Sequence, residues 1–347
     1  MSNGNQHRNR NRQRSGKKYR LRYDRVVAAV LVLIVLIVIL TSCVNSCSKG
    51  KKKSKDNDTT TSTNAVQSSI VDNLRTSGKT AAILSSDGSS TTAPQYTNET
   101  HSKEDVYRGS LVLVNANNEY RFPVDDAEPL TIYNNKTNDC YDVCDYVTML
   151  DKEALSHLDA LMKGFYDATK NTDVTVIGGY RTLEQQNDKY NNGYSSFKGG
   201  FSDYHAARSF DMGVFPKDGS SSGYYSPTGI YSWIDENAAD YGFIVRFPEG
   251  KESFTGEQAR TQTYRYVGTP HSVYIKQNDL CLEEYIDKLK TYNINAPLEI
   301  TSGKTVYQVY YVPAVSGGST EVPVPSNKVY WVSGNNSDGF IVTVSLN

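Results

Sequence analysis

Hydrophobic and polar positions divide the chain into four unlike zones. From Val26 to Leu40 every residue is aliphatic or alanine, and the apolar character continues weakly through Thr41, Ser42, Cys43 and Val44. That is close to the roughly 20 residues that span a bilayer, and the run has no polar face such as a soluble helix would show. Residues 45–104 are rich in Ser, Thr, Lys, Asp and Asn and poor in large apolar groups, so they predict a disordered stalk with a short helix near Ile70 to Leu74. A folding pattern begins near Tyr107, where Leu111 to Val114 predicts a buried strand. Asp151 is placed to cap a helix on which Leu155, Leu158, Met162 and Phe165 recur at helical spacing through Lys170. Val174 and Val176 alternate into Gly178-Gly179-Tyr180-Arg181, which reads as a strand ending in a turn, with a helix after it. Tyr231 to Tyr241 predicts a helix stopped by Gly242; Phe243 to Phe247, Tyr264 to Val267 and Ser272 to Ile275 predict strands, and Leu282 to Tyr292 a closing helix.

Helices and strands mix here without a regular βαβ alternation, so the fold class is α+β: mixed helices around a small antiparallel sheet. From about Pro297 the pattern changes to alternation in Thr305 to Val312, Lys328 to Val332 and Phe340 to Val344, with turn chemistry in Asn335 to Gly339. This predicts a small C-terminal all-β appendage. The expected organisation is a basic cytoplasmic arm (1–25), a transmembrane anchor (26–44), the stalk (45–104), a main domain (105–293) and a β domain (294–347).

Charge sharpens this picture. The first 55 residues hold 14 Lys and Arg against Asp24 alone, a net +13, so the near-neutral total of -1 hides a body of -14. Nine basic residues precede the apolar run and five lysines follow it. The positive-inside bias therefore puts the N-terminus in the cytoplasm and everything after the span outside, a single-pass protein of the cell membrane. Leu40-Thr41-Ser42-Cys43 also resembles a lipobox whose Cys43 would carry lipid, but the basic region is long for a cleaved signal. Arginines interleaved with Asn and Gln could suggest nucleic acid; directly against a span they are a topology signal that touches anionic lipid, and no nucleic-acid partner is expected. The five cysteines, Cys43, Cys47, Cys140, Cys144 and Cys281, show no zinc-ribbon spacing. Cys140 and Cys144 are open to a local disulfide or to two reduced thiols.

Four segments in order, Gly179-Tyr180-Arg181-Thr182, Ser202 to Asp211, Tyr241 to Lys251 and Tyr264-Arg265-Tyr266-Val267-Gly268, carry a likeness over roughly residues 107 to 293. In order and spacing the chain resembles the zinc D-alanyl-D-alanine carboxypeptidase and dipeptidase family of bacterial cell walls. The resemblance implies that Arg181 meets the terminal carboxylate of the substrate, a task suited to a planar fork of donors, that Gln186 supports that turn, and that Ser202 belongs to the same binding pocket. It also implies a catalytic zinc with three protein ligands and an open position, from S-x-H-x-x-G-x-A-x-D and a later E-x-W-H. Here the first motif reads Ser202-Asp203-Tyr204-His205-Ala206-Ala207-Arg208-Ser209-Phe210-Asp211, so Tyr204 stands at the histidine position. His205 comes one residue late and, in an extended segment, faces away from the metal, as a neutral structural histidine would. The positions of E-x-W-H hold Arg260, Thr261, Gln262 and Thr263: the base has become a cation and the third ligand a hydroxyl.

The metal candidates that remain are Asp211, His205 and His271. No catalytic residue is assigned, and Arg260 is expected to pair with Asp211, putting a fixed charge where relatives hold zinc. The expected function is a membrane-anchored extracellular domain that binds peptidoglycan stem peptides with hydrolysis lost and no cofactor. The alternatives are an active zinc D,D-carboxypeptidase with a rearranged site from His205, Asp211 and His271, and a purely structural domain whose β appendage is its interaction surface.

Overall fold

Among the described residues, Asp151 starts the longest helix. Its carboxylate accepts the backbone N–H groups of Glu153 (2.9 Å) and Ala154 (3.2 Å), as the spacing predicted. The computed structural model describes residues 93–123 and 128–347; the basic arm, the expected span and most of the expected stalk lie outside them. Among the described residues, no helix is long and apolar enough to cross a membrane.

In chain order the first elements are β1 (Tyr96–His101), β2 (Leu130–Thr131), α1 (Ile132–Asn135), β3 (Asp142–Val143), β4 (Met149–Leu150), α2 (Lys152–Thr169), β5 (Val174–Gly178) and α3 (Leu183–Asn191). Next come β6 (Ser209–Val214), β7 (Gly223–Tyr224), α4 (Ser232–Asn237), β8 (Phe243–Phe247), α5 (Glu252–Thr255), β9 (Arg260–Tyr266), α6 (His271–Gln277) and α7 (Leu282–Leu289). Five strands close the chain: β10 (Leu298–Ser302), β11 (Thr305–Pro313), β12 (Thr320–Pro325), β13 (Tyr330–Gly334) and β14 (Gly339–Ser345).

The central sheet runs β3-β5-β6-β9-β8, with β7 against β6. Only β3 and β5 are parallel; the other pairs are antiparallel. The apolar stripe of α2, with Leu155, Leu158, Leu161, Met162 and Phe165 buried, packs on Val174, Val176, Phe210, Met212 and Tyr264 of this sheet. Each such side chain contributes about 1.5–3 kcal/mol on leaving water. The register sets Asp211 beside Thr263 of β9 and beside Gly178 of β5, where the β5 ladder shifts between Val176 and Gly178.

Four sequence expectations change. Leu111 to Val114 is buried but forms no strand: its backbone is tied to the C-terminal sheet through Leu111 N–H to Ser333 Oγ (3.0 Å) and Leu113 N–H to the Asn335 carbonyl (3.3 Å). Ser272 to Ile275 lies inside helix α6, where the Ser272 hydroxyl donates to the Ala239 carbonyl at 2.6 Å; the alternation of Val273 and Ile275 imitates a strand. The end of the expected stalk is ordered, since β1 pairs with β12 over six residues from Tyr96↔Pro325 to His101↔Thr320. The strands after Pro297 bury two faces: Leu298, Ile300, Val309 and Ile341 share a core with Ile275 of α6 and Leu282, Tyr285, Ile286 and Leu289 of α7, while Tyr310, Val322, Val324, Phe340, Val342 and Val344 form a second core with Val106. The strands β11, β13 and β14 and the Asn335 to Gly339 turn lie where expected, but their burial does not alternate: β14 is buried from Gly339 to Val344, with Ile341 in one core and Phe340, Val342 and Val344 in the other. Among the described residues Cys140, Cys144 and Cys281 are free thiols, so Cys140 and Cys144 form no disulfide.

Candidate functional site

The strand β5 delivers Arg181 to the site through a turn that requires its glycines. A Cβ on Gly179 would stand 2.5 Å from the Met149 carbonyl oxygen, and one on Gly178 would stand 3.1 Å from Asp211 Oδ2. The close approach lets Tyr180 N–H donate to the Met149 carbonyl at 2.9 Å. Thr182 then caps α3 in a reciprocal box: its Oγ1 accepts Gln185 N–H at 3.2 Å, and Gln185 Oε1 accepts Thr182 N–H at 2.9 Å. That start points Gln186 inward, where it is fully buried. Its Nε2 donates to Ser195 Oγ (2.8 Å) and the Phe197 carbonyl (2.7 Å), leaving Oε1 to accept Arg181 Nη1 at 3.1 Å. The guanidinium also lies over the Tyr204 ring, Cζ 3.9 Å from its centroid, with Nη2 3.9 Å from Asp211 Oδ2.

Residues 203–206, expected to be extended, form a 3-10 turn that ends at Ala207 with φ 56°. The turn separates Tyr204 from His205. Tyr204 donates its hydroxyl to Asp211 Oδ1 at 2.7 Å, and Thr263 Oγ1 donates to the same oxygen at 2.7 Å. Burial, reinforced by the Asp211 charge, pushes the phenol well above its ordinary value, so it stays a donor. His205 faces away from Asp211: Nε2 accepts Gly200 N–H at 3.0 Å, which makes Nδ1 the protonated nitrogen, and Nδ1 donates to the Arg181 carbonyl at 2.7 Å. Burial lowers its pKa, and the ring serves as a neutral brace for the Arg181 backbone. A cavity of about 190 Å³ lies on the His205 side of the turn, lined in part by Tyr120, Tyr180 and Arg208; Arg181 and Asp211 do not line it.

His271 belongs to the joint between the main domain and the C-terminal sheet. Nδ1 meets Tyr285 Oη at 2.8 Å and Nε2 meets Thr343 Oγ1 at 3.0 Å. Burial pushes its pKa from 6.5 down to about 3. The unfolded chain therefore takes up a proton that the folded chain refuses, and stability falls as pH drops below about 6.5 toward 3. Urea midpoints measured across that window are expected to decline with acid, and His271→Gln is expected to flatten the upper part of the curve.

Arg260 does not pair with Asp211. Its Nη2 meets Glu257 Oε2 at 3.1 Å and Ser196 Oγ at 3.3 Å, and its guanidinium lies near the Phe197 and Phe247 rings. Glu257 is closer in the chain, while one oxygen of Asp211 is already taken by two hydroxyls. The positive group beside Asp211 is Arg181. Ser202 is fully buried, and its Oγ has no hydrogen-bond partner among the described residues.

A buried ionic cluster under the turn escaped the sequence reading. Arg265 Nη1 meets Asp203 Oδ1 at 2.6 Å, Arg246 Nε lies 3.3 Å from the same oxygen, and Ser209 Oγ donates to Oδ2. Arg246 forks onto Glu283 of α7 (3.1 and 2.8 Å), and Arg265 Nη2 donates to the Ser110 (3.1 Å) and Val112 (3.0 Å) carbonyls. Burial alone would raise the Asp203 pKa; Arg265 and Arg246 outweigh it and hold the carboxyl below its ordinary range. The cluster ties the turn that carries Tyr204 to helix α7 and to the coil at Leu111 to Val114.

The zinc that the resemblance implies does not fit this donor set. Around Asp211 stand a protonated phenol, a threonine hydroxyl and a guanidinium, none of them a zinc ligand of the usual imidazole, thiolate or carboxylate kind. His205 and His271 use both ring nitrogens elsewhere. Among the described residues, no group of three or more His, Cys, Asp or Glu gathers to hold a metal ion.

Comparison with known proteins places these features in a lineage. Residues 147–269 match the family described as VanY, D-alanyl-D-alanine carboxypeptidase. A D-alanyl-D-alanine carboxypeptidase of Enterococcus faecium is 32% identical over 256 residues, covering 71% of this chain and 78% of the relative. The bifunctional D-Ala-D-Ala dipeptidase and carboxypeptidase VanXYC of Enterococcus gallinarum is 29% identical over 129 residues, covering 34% of this chain and 68% of that protein. Among solved structures, the vancomycin resistance D,D-dipeptidase VanXYg, in complex with a D-Ala-D-Ala phosphinate analog, aligns with a TM-score of 0.63 at 27% identity, covering 72% of this chain and 99% of its own. With its α+β fold, its Gly-Tyr-Arg-Thr turn and a relative matched over most of its length, the chain belongs to the D-alanyl-D-alanine carboxypeptidase family.

Proposed function

We propose that this chain binds D-alanine-terminated peptidoglycan peptides at the Arg181 site without hydrolysing them, held at the outer face of the cell membrane by its N-terminal apolar segment. The observation that carries this reading is the occupation of Asp211 Oδ1 by the Tyr204 and Thr263 hydroxyls, both at 2.7 Å. A carboxylate so engaged is a poor metal ligand. Carboxylate recognition is intact: Gln186 fixes the Arg181 fork, and Tyr204 supports its face. A base beside an attacking water is not supplied by Glu257, whose carboxylate is committed to Arg260 and Ser196.

Kinship favours a second reading, because the named relatives are carboxypeptidases and dipeptidases. An active D,D-carboxypeptidase would have to gather ligands other than His205 and His271 around Asp211. The two readings separate in one preparation of the full-length chain, assayed for bound zinc and for D-alanine release from a stem pentapeptide. Pentapeptide binding with neither zinc nor release is the expected result; zinc-dependent turnover would reverse the assignment.

A further inference from the structure

The groups that line the Arg181 site differ sharply in access. Tyr204 and Thr263 are 1% and 0% exposed, whereas the side chains of Arg181 and Asp211 are 16% and 19% exposed. What the site shows to solvent is thus one guanidinium and one carboxylate. Their nearest atoms, Arg181 Nη2 and Asp211 Oδ2, are 3.9 Å apart, longer than a hydrogen-bonded ion pair. Asp211 Oδ1 is filled by hydroxyls, but Oδ2 keeps acceptor capacity, and Gly178 leaves the space beside it clear of a side chain. Arg181 Nη1 is engaged with Gln186, which leaves N–H groups on Nη2 for a ligand.

A charge pair with this spacing matches a molecule carrying groups of both signs on one carbon. In an α-amino acid a carboxylate oxygen and the ammonium nitrogen are roughly 2.7 Å apart, and each forms charge-assisted bonds of about 2.8 Å. Three such edges close on a 3.9 Å base: ligand carboxylate on Nη2, ligand ammonium on Oδ2. A peptide terminus offers only the carboxylate, since its neighbouring nitrogen is an amide that donates one weak bond and carries no charge.

We infer that the Arg181–Asp211 pair is a binding site for a free α-amino acid zwitterion, with Asp211 as the ammonium acceptor. The inference rests on the non-hydrolytic reading, which leaves Asp211 Oδ2 free of metal. In this reading the site takes the small amino acid that cell-wall carboxypeptidase chemistry releases in preference to the peptide end from which it comes.

The test is calorimetric titration of the full-length chain with D-alanine, L-alanine, N-acetyl-D-alanine and a stem pentapeptide, repeated on Asp211→Asn and Arg181→Lys. D-alanine is expected to bind about tenfold or more tightly than N-acetyl-D-alanine, because acetylation removes a charge-assisted bond. Asp211→Asn, which still accepts the two hydroxyls, is expected to erase that ratio, and Arg181→Lys to weaken both ligands. The two enantiomers report the source of the ligand, and tight binding of either supports the zwitterion site. Equal affinity for D-alanine and its N-acetyl form, with the pentapeptide still bound, overturns the ammonium role of Asp211 and leaves the peptide-binding reading standing. No binding of any of the four overturns both.

Discussion

Zinc affinity is expected to rise about 1,000-fold, roughly 4 kcal/mol, in the double variant Tyr204→His, Thr263→His. The hydroxyls of both residues converge on Asp211 Oδ1 at 2.7 Å, so imidazoles built from the same backbone positions would face that carboxylate. Two imidazoles and a carboxylate with an open position form a catalytic ligand set. Adding Arg260→Glu is expected to supply the missing base and to bring slow D-alanine release. The replacement leaves Glu257 without its ion pair and facing a like charge, so some stability is expected to be lost with it. Zinc content after dialysis, followed by a competitive chelator titration, reads the first effect. Stoichiometric zinc already retained by the unmodified chain would contradict the account of the site.

Asp203→Ala is expected to destabilise the fold by about 3–5 kcal/mol, since it leaves the buried guanidiniums of Arg265 and Arg246 without their shared carboxylate. Chemical denaturation at neutral pH measures the loss. The same interaction has a pH signature with a fixed sign. The folded carboxyl is held below its ordinary value, so its contribution is complete above about pH 4 and disappears as acid protonates it in the folded state. The variant should therefore lose stability less steeply below pH 4 than the unmodified chain. A variant as stable as its parent would remove the cluster from any role in holding the Tyr204 turn.

How much of this was legible beforehand depends on the range over which each interaction acts. The α2 stripe, its Asp151 cap and the strands β11 and β14 rest on local patterns, and they appear where the sequence put them. Tyr96 to His101 gives no such signal: its sequence is polar, and its partner β12, more than 200 residues away, contains Pro323 and Pro325. At the site, the turn that presents Arg181 and its support by Gln186 followed from spacing and family likeness together. The replaced positions are visible in the sequence as residues, but not as geometry. Nothing in the chain order reveals that Tyr204 and Thr263 share one oxygen of Asp211, or that Arg260 turns to Glu257 three positions behind it. Nor does composition show that Asp203, Arg246, Arg265 and Glu283 leave water together, because burial of charge depends on partners that only the fold assembles.

The pairing of β1 with β12 moves the practical edge of the folded portion. A fragment begun at residue 105 would discard β1 and with it one side of a six-residue ladder, baring the N–H and C=O groups of β12 that β1 now engages. Uncapped strand edges recruit other chains. Soluble preparations should therefore start ahead of Tyr96, so that aggregation caused by a missing strand is not mistaken for self-association of the native protein.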